Sequence, residues 1–545
     1  MARSAKEAFK KLEALKQKRQ TFDTLWQELM DYFQPNKNVI TREVTPGENK
    51  YVRLYDSTGA HACELLSGAL HSMLTNPASY FFEFTTGIPK LDAMDEVRAD
   101  LQERAHIVHE ALNGSNFQTE VHELYMDQNS IGMAGMSIEE DEEVDVRFSS
   151  KPMRGIYVDE NSKGMIDVVY HCFKWKPALI IQEFGDKVPE WVMKREKEAP
   201  DEEIELLQVI EPNKDYSSAK KLSIEGKKFV SCVYIKEQNK DDGATLSESG
   251  FNTFPWVTPR WSKATGEVYG RSPAMKCLPD VKMINEMMKE TIRAQQKATN
   301  PPLLVPDDGV LGSLKLYPGG LNFYRAGNGD FVKPIESGGN LQLSFEMMDD
   351  VRKRIRDCFY IDQLQLQEGP QMTATEVMQR TEEKIRLLGP LLGRQHSEFL
   401  RPLIERVYEI LDKRGKFPPP PAILANRKIS VKYRSMLAKA QLQSEAQNLQ
   451  RAFSAAAPFL QVNPESVDVI DCDEGVRFAA KLYGLPQELM RDQQTIQAIR
   501  EGRQQAHDQA MQAAETDQGV EQVAKLAPAA KIASEMQGGA ARQRR

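Results

Sequence analysis

No run in this 545-residue sequence approaches the ~18 consecutive apolar residues of a membrane span, so no bilayer crossing is expected. The opening stretch MARSAKEAFKKLEALKQKRQ carries positive charge, but no apolar core and no small-residue cleavage site follow it. It reads as an exposed helix rather than an export signal. Cysteine is sparse: Cys63, Cys172, Cys232, Cys277, Cys358 and Cys472 are scattered, with no CxxC and no paired spacing, in a chain too long to need disulfide staples. Buried thiols in a reducing compartment are expected. An excess of basic charge is also missing. At a net charge of -8 the chain is not a tight, sequence-independent binder of duplex DNA, because such affinity comes from Lys and Arg neutralising phosphates.

Signatures of catalysis are equally thin. GEVYGRSP (266–273) begins like a phosphate loop, but a Walker loop needs four residues between its glycines and a Lys after the second. Here three residues separate Gly266 from Gly270, Arg271 takes the Lys place, and Pro273 removes an amide that a phosphate would seek. Ser272 as N-cap and Pro273 at the first helical position make a good helix start instead. HIVHE puts His106 and His109 on one helical face with Glu110 beside them and His122 following, yet neither metalloprotease order of His and Glu is present. Ordinary helix-surface histidines are expected. The acidic run Glu139, Glu140, Asp141, Glu142 and Glu143 lacks the glycine turn and ligand spacing of a calcium loop, so it reads as solvated edge charge or a negative channel wall. There is no GxSxG and no distinctive pairing of Cys with His. No catalytic, cofactor-binding or metal-ligating residue is assigned.

What is present is a globular composition, 41% hydrophobic and 28% charged, long enough for three or four units at ~150 residues each. Residues 5–34 show helical spacing that stops at Pro35. Asp56 or Ser57 can cap a helix that Asn76-Pro77 ends. YFFEFTT (80–86) reads as a strand, 92–113 and 117–131 as helices, and 165–175 and 228–236 as alternating strands with a charged, exposed segment between them. From Ser272 to Ala298 the pattern is helical; 301–340, rich in Gly and Pro, suggests a small β unit inserted before a second helix at 341–362. A polar loop, DQLQLQEGPQ, leads to a strong helix start in which Thr373 and Glu376 match the capping box, flanked by the staple pair Met372 and Val377. Gly389-Pro390 must kink or break that helix. FPPPP (417–421) reads as a linker and KISVKYR as a strand, and a Gln/Ala-rich tail with a thin apolar stripe closes the chain.

Several segments together resemble the head-to-tail connector, or portal protein, family of short-tailed bacteriophages. They are YDSTG with LTNP (55–77), the glycine and acidic segment 132–147, GEVYGRSP with LPD (266–280), MTATEV (372–377) and PLIERVYEIL (402–411). Each alone is weak; the set falls in family order over residues 20–500. The resemblance implies a helix-rich α+β portal-type fold with wing, stem helices, clip, tunnel loop and crown. It assigns 1–265 to the wing, 266–298 to the hinge and first stem helix, 299–340 to the clip and 341–362 to the second stem helix. The tunnel loop becomes 363–372, the kinked wing helix 373–414, the crown 415–500, and 501–545 a helical tail that can form a barrel. It also implies a homo-oligomeric ring, usually of twelve copies, at one capsid vertex, assembled in the host cytoplasm and carried in the virion. Double-stranded DNA passes through the ring. The implied partners are the terminase large subunit, major capsid and scaffolding proteins, and tail adaptor and internal core proteins, with no membrane.

On that reading Gln363, Gln365, Gln367, Glu368 and Gln371 face DNA from the tunnel loop, offering polar contact with little fixed charge. A helix of ~25 residues is ~38 Å long, enough for a channel wall. Its stripe Val281, Ile284, Met288 and Ile292 suits packing between neighbouring copies, and Pro279 should bend or restart it, leaving 280–298 as the straight segment. The channel-lining candidates are Lys282, Glu286, Lys289 and Arg293, with Arg352, Lys353 and Arg356 from the second helix. Those last three, with Arg354 and the nearby Asp349, Asp350 and Asp357, equally suit a salt-bridged surface at ~0.3–0.5 kcal/mol per exposed pair. Gly266 and Gly270 are expected to let the chain turn out of the wing. Two other classes are open: an ATP-driven or nucleolytic packaging enzyme, which needs a nucleotide loop or clustered acids, and a tail adaptor ring without a DNA channel.

Overall fold

The computed structural model describes residues 4–299, 303–304, 333–334, 341–361, 389, 393–433, 451–455, 472–483 and 493–515, apart from 38, 43, 44, 46, 49, 52, 53, 93, 218, 221, 222, 237–242, 425, 426, 428 and 453. The chain divides into two compact units, one of Met1–Leu91 with Asp100–Ala440 and one of Asp92–Ala99 with Gln441–Arg545. It is a helix-rich α+β protein. Residues 415–440, the start of the expected crown, fall within the range of the first unit.

Helix α1, Ala5–Phe33, starts where the Ser4 hydroxyl accepts the Glu7 amide at 3.4 Å, and it ends at Gln34, ahead of Pro35. Its two halves bury different residues. Ala5, Ala8, Leu12 and Leu15 join a core with Tyr170, Leu207, Val209 and Tyr234, while Trp26, Leu29 and Phe33 are buried further along. At the crossover lies Arg19, buried, donating to the carbonyls of Met153, Arg154 and Ile156 and lying 3.7 Å over the Tyr157 ring. A guanidinium suits this place because its five donors can satisfy several carbonyls at once. Helix α2 is Thr58–Leu74; of the two capping candidates it is Asp56 that bonds, accepting the Thr58 amide at 2.9 Å, whereas Ser57 makes no side-chain cap.

After strand β1, Phe82–Thr85, come α3, Asp95–Gly114, and α4, Phe117–Ile131, which closes on Gly132 in the left-handed conformation. Next are β2, Gly135–Asp141, β3, Asp145–Lys151, β4, Ile156–Glu160, and β5, Ile166–Trp175. The segment expected to be charged and exposed between the two alternating strands is ordered, and this is a correction. It holds α5, Pro177–Phe184, α6, Glu190–Glu198, and β6, Ile204–Pro212, before β7, Phe229–Lys236, β8, Gly243–Phe251, and β9, Trp256–Val257. Strand β6 is central in the antiparallel order β4-β5-β6-β7-β8. Leu207 and Val209 face the α1 core, while Leu206 packs with Ile180, Val192, Ile235 and Leu246. A strand covered on both faces does not alternate, and Glu203, Glu205 and Glu211 around its apolar run disguise it. A smaller sheet, β3-β2-β9, carries the acidic run at its turn.

Helix α7, Pro273–Thr299, is continuous through Pro279, so of the expected bend or restart the restart does not occur. The missing amide costs one bond, but Cys277, Leu278, Val281 and Ile284 are buried around it, and that packing holds the turn. Two short antiparallel strands follow, β10, Leu303–Leu304, and β11, Lys333–Pro334, and then α8, Leu341–Cys358. The tunnel-loop candidates Gln363, Gln365, Gln367, Glu368 and Gln371, the cap pair Thr373 and Glu376, and Pro390 lie outside the described residues. A π-helical turn at His396–Leu400 leads into α9, Arg401–Lys413, and β12, Ser430–Tyr433, pairs antiparallel with β1. In the second unit, α10, Cys472–Tyr483, and α11, Gln493–Glu515, are tied by Arg500, whose guanidinium makes two 2.6 Å bonds to Asp473.

Candidate functional site

The loop entering α7, which holds the hinge candidates Gly266 and Gly270, is built by backbone proximity. Gly266 adopts φ +83° in open space, whereas Gly270 is pressed on Gly132: a Cβ at Gly270 would lie 2.0 Å from the Gly132 carbonyl oxygen, and one at Gly132 2.6 Å from that of Gly270. The Trp261 amide donates to the Gly132 carbonyl at 2.9 Å, and Ser262 and Arg271 exchange backbone bonds at 3.2 and 2.7 Å, closing the loop between them. Ser272 then acts twice, its hydroxyl donating to the Ser130 carbonyl at 2.8 Å and accepting the Met275 amide at 3.0 Å as N-cap. Arg271 is committed to Glu267 and lies 5.3 Å over Phe22. With the Arg271 and Met275 amides already used, this loop is an anchor and not a phosphate cradle.

Beside it sits an ionic hub with no sequence signal. The side chain of Arg260 is 1% exposed and forks onto Glu398, at 3.0 Å from Nε and 2.8 Å from Nη2, with its own amide donating to the same carboxylate. It also bonds Glu160 at 3.0 Å and the carbonyls of Val268 and Gly164. Lys263 joins at Glu160, and Arg394 at Glu398. Burial pushes the Glu160 carboxyl up, but the bonds from Lys263 and Arg260 outweigh it and leave the group below its ordinary range. One guanidinium thus ties the loop before α7 to β4 and to the π-turn before α9.

The helix pair is anchored by the YDSTG stretch. Asn285 of α7 accepts the Tyr55 and Asp56 amides through Oδ1, at 2.7 and 3.4 Å, while Arg352 of α8 donates to the Asp56 carboxylate at 3.1 and 2.9 Å. Gly59 leaves room for both Phe33 and Val281, each 3.0 Å from where its Cβ would stand. Asp280 meets Arg354 at 3.6 Å, and Cys277, one turn earlier, hydrogen-bonds Cys358, one turn later, so α7 and α8 run antiparallel.

The channel-lining candidates divide by partner. Lys282 pairs with Glu28 of α1, and Arg352 is held by Asp56 and Asp349; Lys289 pairs with Glu286, and Arg293 with Glu290, along α7 itself. Lys353 and Arg356 are exposed. The stripe expected between copies is shared: Val281 and Ile284 are buried within the chain, Met288 is half-buried and Ile292 exposed. Met283, Phe345 and Met347 are exposed on the same two helices. The acidic turn braces α9, with Glu140 on Lys413 at 2.8 Å and Asp145 on Arg414 at 2.7 Å, at the helix end that favours cations. His106 bonds the Tyr80 hydroxyl and Glu110, and His109 lies against Tyr80. Among the described residues no group of three or more His, Cys, Asp or Glu is placed to hold a metal ion, and no helix is long and apolar enough to cross a membrane.

A pH dependence follows from Asp56. Burial raises its pKa, but the bonds from Thr58 and Arg352 prevail and hold it below the ordinary 3.8. A group depressed on folding stabilises the fold fully above its unfolded pKa and loses that contribution as pH falls through the folded one. Acid titration of stability should therefore steepen below pH 3.8. In Asp56→Asn that part of the slope should vanish, with ~1.5–3 kcal/mol lost at neutral pH; an unchanged acid limb in the variant would exclude this origin.

These features define an architectural subunit, in which buried charge holds elements in register around a pair of long helices. The sequence matches the family model of the bacteriophage head to tail connecting protein over residues 5–490. It is 31% identical over 522 residues to the probable portal protein of Bordetella phage BPP-1, covering 94% of this chain and 93% of that one. To the portal protein of Salmonella phage epsilon15 it is 29% identical over 536 residues, 96% of each. The chain belongs to the bacteriophage head-to-tail connector, or portal protein, family. The match begins where α1 begins and stops just before α11.

Proposed function

We propose that the chain forms a closed ring, of twelve copies, at one capsid vertex, through which double-stranded DNA is packaged and later ejected. The observation that carries this is the family match over residues 5–490, within which lie α7 and α8 with Met283, Ile292, Phe345 and Met347 exposed. Apolar side chains so displayed on an antiparallel helix pair suit contact with the next copy, and the pair's polar positions suit a channel wall. In this reading 1–265 is the wing, α7 and α8 the stem, and 299–340 the clip that docks the terminase motor and afterwards the tail adaptor. Residues 363–372 are the tunnel loop, 373–414 the kinked wing helix, 415–500 the crown, and 501–545 the tail. The ring sits in the virion, assembled in the host cytoplasm with capsid, scaffolding and internal core proteins, and it has no catalytic step or cofactor of its own.

The net charge of -8 fits a conduit: a wall that neutralised many phosphates would hold DNA in place, whereas sparse basic points let it slide. Deleting residues 363–371 tests the assignment. Ring assembly should survive while DNA packaging or retention falls. Failure to assemble would make the loop a structural contact, and unimpaired packaging would remove it from the DNA path.

A further inference from the structure

Cys277 on α7 and Cys358 on α8 take no part in the hinge or the ion pairs, yet their thiols are hydrogen-bonded to one another across the helix interface. The antiparallel register explains the meeting, because the Asp280–Arg354 pair sits one turn away on each helix. Cys277 is fully buried, with the Ala274 carbonyl 3.6 Å from its sulfur, while Cys358 is half-buried and reachable from solvent. The two therefore differ as a resolving and an attacking thiol should.

Their surroundings sharpen that difference. The hydrogen bond from Cys277 favours the Cys358 thiolate and outweighs its burial; Lys276 adds to this while Asp280 and Asp357 oppose it, and Cys358 ends below the ordinary thiol range. The contact with Cys358, and then burial, push Cys277 up. The third thiol nearby, Cys63 on α2, is buried and held protonated by burial and by Asp127, so it does not compete.

We propose that Cys277 and Cys358 are a redox pair, which a small-molecule disulfide such as oxidised glutathione converts to an intramolecular disulfide fastening α7 to α8. The Cys358 thiolate attacks one sulfur of the small disulfide; that S–S bond breaks, a Cys358 mixed disulfide forms, and the first small thiolate leaves. This thiolate takes the proton of Cys277, whose sulfur then attacks Cys358 Sγ and expels the second small thiolate, which is protonated from solvent. Two electrons pass from the protein sulfurs to the small disulfide, giving one protein disulfide and two small thiols. The antiparallel register brings the two thiols to one another, and a disulfide requires their sulfurs at ~2.05 Å.

The bond would lie at the end of the helix pair opposite the inserted residues 300–340, clamping the stem where it leaves the hinge. A reducing compartment would keep the pair as thiols, and oxidising surroundings would close it.

The full-length protein, equilibrated across stepped ratios of reduced to oxidised glutathione, trapped with an alkylating agent and digested, reports the pair by mass spectrometry. A Cys277–Cys358 linked peptide, short of two hydrogens, should replace the two alkylated peptides as the ratio becomes oxidising, while Cys63 stays reduced until the protein is unfolded. Both thiols remaining unlinked at the most oxidising ratio, or either linked to another cysteine, would overturn the proposal. In Cys277→Ser the glutathione adduct on Cys358 should become the dominant oxidised form, since nothing resolves it. No adduct there, or an equally persistent adduct in the unsubstituted protein, would equally refute it.

Discussion

Gly270→Ala is expected to yield little folded protein, with a loss above ~4 kcal/mol where it can be measured, a size reserved for a few mechanisms of which backbone collision is one. The new methyl carbon would stand 2.0 Å from the Gly132 carbonyl oxygen and 3.1 Å from Arg260 Cβ. Neither neighbour is the free end of a flexible side chain. Relief requires the two backbones to part by more than an ångström or so, well beyond ordinary packing tolerance. That movement would break the bond from Trp261 to Gly132 and displace the Ser262–Arg271 pairing behind it. Gly266→Ala is the matched control, because its φ of +83° sits in open space and should cost only the ~1–2 kcal/mol of a left-handed residue with a side chain. Soluble yield and thermal midpoints of the two variants check the difference. A Gly270→Ala protein that melts with Gly266→Ala would mean the glycine contact is not tight.

Arg260→Met should cost ~3–5 kcal/mol, the penalty of leaving a buried charge without its partner. The carboxylate at issue is Glu398, whose side chain is 9% exposed and which would retain only Arg394 of its two guanidinium contacts. Glu160 would keep Lys263 and lose less. The double variant Arg260→Met with Glu398→Leu should recover much of the loss, since the stranded carboxylate is then gone. Arg260→Lys should not rescue, because three donors on a point charge cannot replace a fork spanning two carboxylates and two carbonyls. Denaturant midpoints measure all three, and a single variant within ~0.5 kcal/mol of the parent would show that the hub contributes packing alone.

The helices whose signals are local were legible. Asp56 and Ser272 bond as caps, and α1 ends ahead of Pro35. Strand β6 was not, because a strand buried on both faces loses the alternation by which strands are recognised, and its flanking glutamates mimic a surface segment. Pro279 does not restart α7, because the local rule counts one lost bond and one clash but not the burial of Cys277, Leu278, Val281 and Ile284 beside it.

Of the candidate site, the start of α7 at Ser272 and Pro273 has a local signal, but the long-range contacts of YDSTG have none. Its Asp56 caps α2 and holds Arg352, while the Tyr55 and Asp56 amides meet Asn285, 229 or more residues away, and no pattern in one sequence links such positions. The Arg260–Glu398 hub, 138 residues apart, was hidden for the same reason.

Copies of this subunit are proposed to close into a ring around a DNA passage. Electron cryo-microscopy of the purified full-length chain tests it most directly. The expected images are closed rings with a central opening wide enough for a DNA duplex, walled by α7 and α8, with Met283, Ile292, Phe345 and Met347 covered by the neighbouring copy. A chain that stays monomeric under all conditions, or closes into assemblies with no passage, would contradict the account.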